Sequence, residues 1–167
     1  MTKYSPLAAA NWFLANHAGD NGIEHMKLQK LVYCAHGWWL AFKPEPFLNE
    51  RPQIWKYGPV FSSLYHVLKP FGHLPIDAPQ STSPFDETPR VTADSTSRLL
   101  SFIWKRYGHL SNFALSEMTH EKLTAWYKQA EKYEFEVPHG LEIPDEFVRV
   151  EFMPMRLIQV PQCSVSR

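Results

Sequence analysis

The chain has 167 residues, enough for one ordinary domain with a real core. Hydrophobic residues make up 44% of it and aromatics 14%, which excludes a largely disordered protein. Lys and Arg number 17 against 17 Asp and Glu, so there is no surplus of positive charge to drive general binding to nucleic acid, and only a local basic patch stays open.

The first twenty residues contain a short apolar stretch interrupted by Asn11, Asn16 and His17. It lacks the length and flanks of a signal peptide or of a membrane span, which needs roughly 20 apolar residues. The expected location is therefore the cytoplasm. Cys34 and Cys163 lie far apart and read as two free thiols in a reducing compartment. Residues 6–17 are predicted to be a helix, with Ser5 as its cap and Pro6 in its first turn. Gly19 to Gly22 then form a turn.

A second helix is predicted over about residues 25–43. Leu28, Leu31, Val32, Ala35, Trp39 and Phe42 form one apolar stripe at helical spacing. Another strip carries the small residues Cys34, Gly37 and Ala41, with Lys27 and Lys30 a turn earlier. Small side chains admit a close neighbour, so this helix is expected to be central and packed on more than one side. Pro44 and Pro46 end it. Phe47-Leu48 and Gln53-Ile54-Trp55 read as the two strands of a small hairpin joined by residues 49–52. Such a ribbon is marginal alone and must pack on the helices. Gly58-Pro59 turns the chain into a third helix, over residues 60–71, whose apolar positions are Val60, Leu64, Val67 and Leu68.

Residues 73–93, with four prolines among Ser, Thr and Asp, read as a long loop, either mobile or laid over the surface. From Asp94 a helix is predicted with Leu99, Leu100, Ile103 and Tyr107 on one face and Gly108 as its C-terminal cap. Ser111 starts a short helix through Met118, and another covers residues 122–132. Pro144-Asp145-Glu146 suits a first helical turn by geometry and by the helix dipole. The expected fold is mainly α: one compact helical domain around a central helix, with a small two-stranded β-hairpin, over residues 1–152. Residues 153–167 form a C-terminal tail of unknown role.

Chemistry is scarce. Among eight histidines, His25 and His36 stand about three turns apart on one helix, too far to share an ion. His66 and His73 straddle Pro70 and Gly72. No His-Glu-x-x-His or Cys-x-x-Cys pattern points to a metal, no Gly-rich loop to a nucleotide, and no Gly-x-Ser-x-Gly elbow to a hydrolase. Cys34 sits in an apolar helix, where burial disfavours the reactive thiolate. No cofactor is predicted. Thr119-His120-Glu121 admits two readings. In one, His120 and Glu121 are an acid–base pair. In the other, Thr119 caps the next helix, Glu121 lies in its first turn, and His120 bonds a neighbouring carbonyl.

Four blocks carry a family resemblance. They are Ala10 to Leu14; Met26 to Tyr33 continuing through Gly37 to Ala41; Ile54 to Val60 with Leu64-Tyr65; and Leu115-Ser116 with Thr119-His120-Glu121 and Trp126. In order and spacing they resemble the Panacea domain, a family that includes the SocA-like and phage GepA-like antitoxins. They cover about residues 7–130. One departure is Thr124-Ala125 before Trp126, where the family often has a proline at the adjoining position.

The resemblance implies a cytoplasmic antitoxin of bacteria or their phages that neutralises a cognate toxin, encoded nearby, by direct protein–protein binding. A second reading is a proteolytic adaptor that delivers the toxin to an ATP-dependent protease. A phage-encoded modulator of host defence and a small enzyme are further alternatives. The chain has no room for a separate helix-turn-helix. The resemblance also places Leu28, Gln29, Tyr33, Gly58, Pro59, Val60, Tyr65, Thr119, His120 and Trp126 in motifs that serve the fold. The candidate partner-binding residues are Lys27, Lys30, Trp55, Lys56 and Tyr57. The lysines make either one cationic spot or a solvated helix face. Trp55 and Tyr57 are either displayed on a rigid corner or packed in the core.

Overall fold

A computed structural model describes residues 3–158. Among them are seven α-helices and one two-stranded antiparallel sheet, so the fold is mainly α. Cys163 lies outside the described residues.

Helix α1, Pro6–His17, starts where the sequence places it. The Ser5 hydroxyl accepts the Ala8 N–H, and Pro6 occupies the first turn, where its missing donor costs nothing. Helix α2, His25–Phe42, is the central element, with fifteen buried residues in its eighteen. A helix buried nearly all round needs neighbours on every side. α1, α4 (Asp94–Tyr107), α5 (Asn112–His120) and α7 (Asp145–Ile158) all pack on it.

The small-residue strip explains the closest of these contacts. α7 lies along it, and the Phe152 ring fills the space over Gly37, where a Cβ would come within 2.3 Å of the ring. Tyr33 and Trp38 meet the same ring edge-on, at 5.9 and 6.3 Å between centroids. Polar bonds hold the two helices in register. Tyr33 donates its hydroxyl to Glu151 Oε2 (2.7 Å), Arg149 donates to the Leu40 carbonyl, and Arg156 donates to that of Ala41. At the start of α7, His36 Nε2 lies 3.1 Å from Asp145 Oδ1. The helix continues to Ile158, six residues beyond the boundary drawn at 152.

The hairpin differs from the predicted one. Strand β1, Gln53–Trp55, pairs with β2, Gly58–Val60, and the connection is the two residues Lys56-Tyr57. Gly58 has φ +101, a conformation that L side chains rarely adopt, and this lets the chain reverse so tightly. Thus Gly58-Pro59 is strand, not turn, and Val60 closes β2 instead of opening a helix. Pro59 is tolerated because β2 is an edge strand. The outer edge of β1 is covered by residues 141–143, through Ile54 N–H to the Leu141 carbonyl and Ile143 N–H to that of Pro52. Phe47-Leu48, read as the first strand, instead bridges the N-terminal segment, with Tyr4 N–H donating to the Phe47 carbonyl.

Helix α3 is shorter than predicted, Ser62–Leu68, and runs into a 3-10 turn at Lys69–Phe71 around Pro70. The proline-rich segment 73–93 is laid over the surface and tied down. Asn11 donates to the Gln80 and Pro89 carbonyls and accepts the Gln80 N–H. Gly108 follows α4 in ordinary right-handed conformation, not as a left-handed cap. It is glycine there because a Cβ would meet the Trp104 carbonyl and ring at 2.6–2.8 Å. Thr119 does not cap the next helix. It sits inside α5 with its hydroxyl on the Leu115 and Ser116 carbonyls, and Thr124 caps α6, Ala125–Glu131, by accepting the Tyr127 N–H. The chain turns at Leu123, where φ is 76, so α6 cannot start at residue 122.

Candidate functional site

A three-residue-strand hairpin has too few bonds of its own to hold one shape. Here side chains from three helices hold it through alternate backbone carbonyls. Trp126 of α6 donates its indole N–H to the Trp55 carbonyl (2.9 Å), and Ser116 of α5 donates to that of Tyr57 (2.7 Å). Lys30 of α2 donates to the Pro59 carbonyl (2.8 Å). Gln29, also of α2, donates to the Phe61 carbonyl (3.1 Å) and accepts the Phe61 N–H (2.9 Å). Between Pro59 and Phe61 the chain is extended, and carbonyls two residues apart there point the same way. Thr119 and Lys30 crowd the Gly58 Cα, so a Cβ there would lie 2.8 Å from the Thr119 hydroxyl and 3.0 Å from the Lys30 amine. Gln29, Gly58, Pro59, Thr119 and Trp126 of the motif residues thus meet at the hairpin. Leu28 and Tyr33 are core, and His120 bonds the Ser116 carbonyl with its ring against Trp126.

The result is a corner that cannot easily move. On it Lys56 is exposed and Tyr57 is 55% exposed, with the Lys56 amine 5.2 Å from the centre of the Tyr57 ring. Trp55 is half-buried, packed on Tyr65 at 4.6 Å between centroids. Beside the corner runs a groove of about 420 Å³, floored by His25, Met26 and Gln29 of α2 and walled by Trp55, Tyr57 and Tyr65, with Lys69 and His73 on its far side.

The two candidate lysines of α2 part company. Lys27 points away from the corner, donating to the Gly108 carbonyl beneath the Trp104 ring. Lys30 is fully buried. They make neither one cationic spot nor a solvated face, and Lys30 offers no surface to a partner. Their spacing of three on a helix already full of apolar neighbours decides this: one faces α4, the other the hairpin.

Burial pushes the Lys30 amine down from 10.5 to about 7. A lysine depressed in the folded state binds its proton more readily when unfolded, so folding is penalised wherever the unfolded amine is charged. That penalty is full below about pH 7 and fades as pH rises towards 10.5. Stability is therefore expected to rise between about pH 7 and about pH 9, by up to roughly 1.4 kcal/mol per pH unit from this group. Lys30→Met should flatten that rise in urea unfolding. An unchanged slope in the variant would assign the pH effect to another group.

Burial also pushes the Cys34 thiol well above its usual range, which keeps it unreactive. Among the described residues, no group of three His, Cys, Asp or Glu could hold a metal ion, and no helix is long and apolar enough to cross a membrane.

The family model for "Antitoxin SocA-like, Panacea domain" matches residues 28–127, well over half of the chain. The chain belongs to that family. Antitoxin SocA of Caulobacter vibrioides (strain NA1000 / CB15N) is 39% identical over 66 residues, which is 39% of this chain and 35% of that protein. The shared stretch therefore spans about a third of the curated relative. No solved structure matches the chain. The Panacea match contains the hairpin and every side chain that clamps it. α1 and α7 lie outside the matched stretch, so the Phe152 contact on Gly37 joins a Panacea residue to one beyond it.

The sequence missed the groove's far wall. Lys69 and His73 flank Pro70 and read only as a helix end, and nothing in their spacing says that they face Trp55. It also missed Glu151, which accepts from both Tyr33 and the Ala125 N–H and which burial lifts to about 7. A lone acid between Val148 and Phe152, on the apolar face of α7, was the available signal.

Proposed function

We propose that this Panacea protein is an antitoxin of a toxin–antitoxin pair, acting in the cytoplasm, and that it neutralises its cognate toxin by direct binding at the hairpin corner. The observation that carries this is an exposed aromatic–cation pair, Lys56 and Tyr57, on a turn fixed by four clamped carbonyls. Tyrosines in such positions are frequent binding hot spots, and a preorganised surface loses less entropy on association. The name of the relative, Antitoxin SocA, supports the same reading.

Neutralisation here is binding without chemistry. The Cys34 thiol is buried, and His120 is engaged with the Ser116 carbonyl and the Trp126 ring. The test is co-expression with the neighbouring gene. Growth should be arrested by that gene alone, rescued by this chain, and rescued equally in a host lacking its ATP-dependent proteases. Rescue that vanished with one protease would make the chain a delivery adaptor. Rescue with no complex between the pair would contradict the proposal.

A further inference from the structure

The groove beside the corner has a chemistry of its own. Its walls are aromatic, with Trp55, Tyr57 and Tyr65 facing the space. Two lysines, Lys56 and Lys69, line it, and neither takes part in an ion pair among the described residues. No Asp or Glu lines it, in a chain whose total charge is balanced, so this concentration of one sign is local. On the floor His25 is nine-tenths buried. Aromatic walls remove apolar side chains from water, and unpaired ammonium groups attract carboxylates.

We infer that the groove holds an extended acidic segment of the toxin, with apolar side chains against Trp55 and Tyr65 and carboxylates on Lys56 and Lys69. This rests on the proposed antitoxin function and adds to it the chemistry of the partner. The space of about 420 Å³ suits a short peptide stretch, not a folded domain, so the corner would meet the body of the toxin while the groove takes a strand or tail. Acidic groups on the partner would also speed encounter, which makes the association sensitive to salt.

The test titrates the purified toxin, fluorescently labelled, with the full chain at low and high salt. Lys69 is exposed, so Lys69→Glu should fold normally by circular dichroism, yet weaken the complex about tenfold or more and flatten its salt dependence. Lys105→Glu, an exposed lysine on α4, is the charge control and should leave affinity unchanged. Lysine substitutions in the toxin's acidic segment, located by hydrogen exchange, should weaken binding to the wild type and regain it with Lys69→Glu. A complex indifferent to Lys69→Glu and to salt overturns the groove while leaving neutralisation by binding intact. No complex at all overturns both. A short oligothymidylate that competes with the toxin for the wild type, but not for Lys69→Glu, would assign the groove to nucleic acid instead.

Discussion

Gly37→Ala is expected to lower the stability of the folded chain by about 3 kcal/mol, although alanine is the better helix former by about 1 kcal/mol. The gain in propensity is outweighed because the new methyl would sit 2.3 Å from two ring carbons of Phe152. Tyr33 and Trp38, on α2 beside Gly37, also meet that ring edge-on, which limits how far it can swing. α7 must shift as a unit, straining the Tyr33–Glu151 bond and the arginine bonds to the end of α2. For a domain of this size the melting temperature should fall by roughly 6–12 °C. Phe152→Leu in the same chain should restore part of the loss, since it removes the ring edge that clashes. A strictly additive double mutant would show that the two residues do not touch and would refute the packing of α7 described here.

The second large effect concerns function. Lys56→Glu combined with Tyr57→Ala is expected to remove protection against the toxin while leaving the melting temperature within about 2 °C of the wild type. Both side chains project from the turn, and no hydrogen bond of the clamp uses them: the clamp runs through backbone carbonyls. Truncating a central tyrosine and reversing the adjacent charge should cost at least about 3 kcal/mol of binding, on the order of a hundredfold in Kd. The measurement is growth rescue across a range of expression levels, with thermal melts of the purified variants. Full rescue by the double variant would move the contact surface elsewhere. Loss of rescue together with loss of folding would be met by Tyr57→Phe, which keeps the ring and should retain most of the protection.

Much of this was legible in the chain because local rules and tertiary packing agree. Ser5 and Pro6 start α1, the stripe from Leu28 to Trp39 makes α2 central although its last member, Phe42, is exposed, and Gly37 marks the place where another helix comes close. The hairpin was misplaced because Gly58-Pro59 has strong turn character, while the real turn, Lys56-Tyr57, has none. Gly58 makes the reversal with a positive φ, and Lys30 and Thr119, residues distant in sequence, occupy the space that a Cβ there would need. Lys30 misled for a related reason. A lysine on an otherwise apolar helix reads as a surface group, and its burial becomes intelligible only once the Pro59 carbonyl is found in front of it. The site is less legible than the fold because it is assembled from α2, the hairpin and the end of α3, and no spacing along the chain links Trp55 to Lys69.

The most direct measurement is the affinity of the purified toxin for this chain, by calorimetric titration of wild type and of the Lys56→Glu, Tyr57→Ala variant. A saturable complex is expected with the wild type, tight enough to survive gel filtration, with a loss of about a hundredfold in the variant. Growth rescue by a wild-type chain that shows no heat of binding and no co-elution would contradict it.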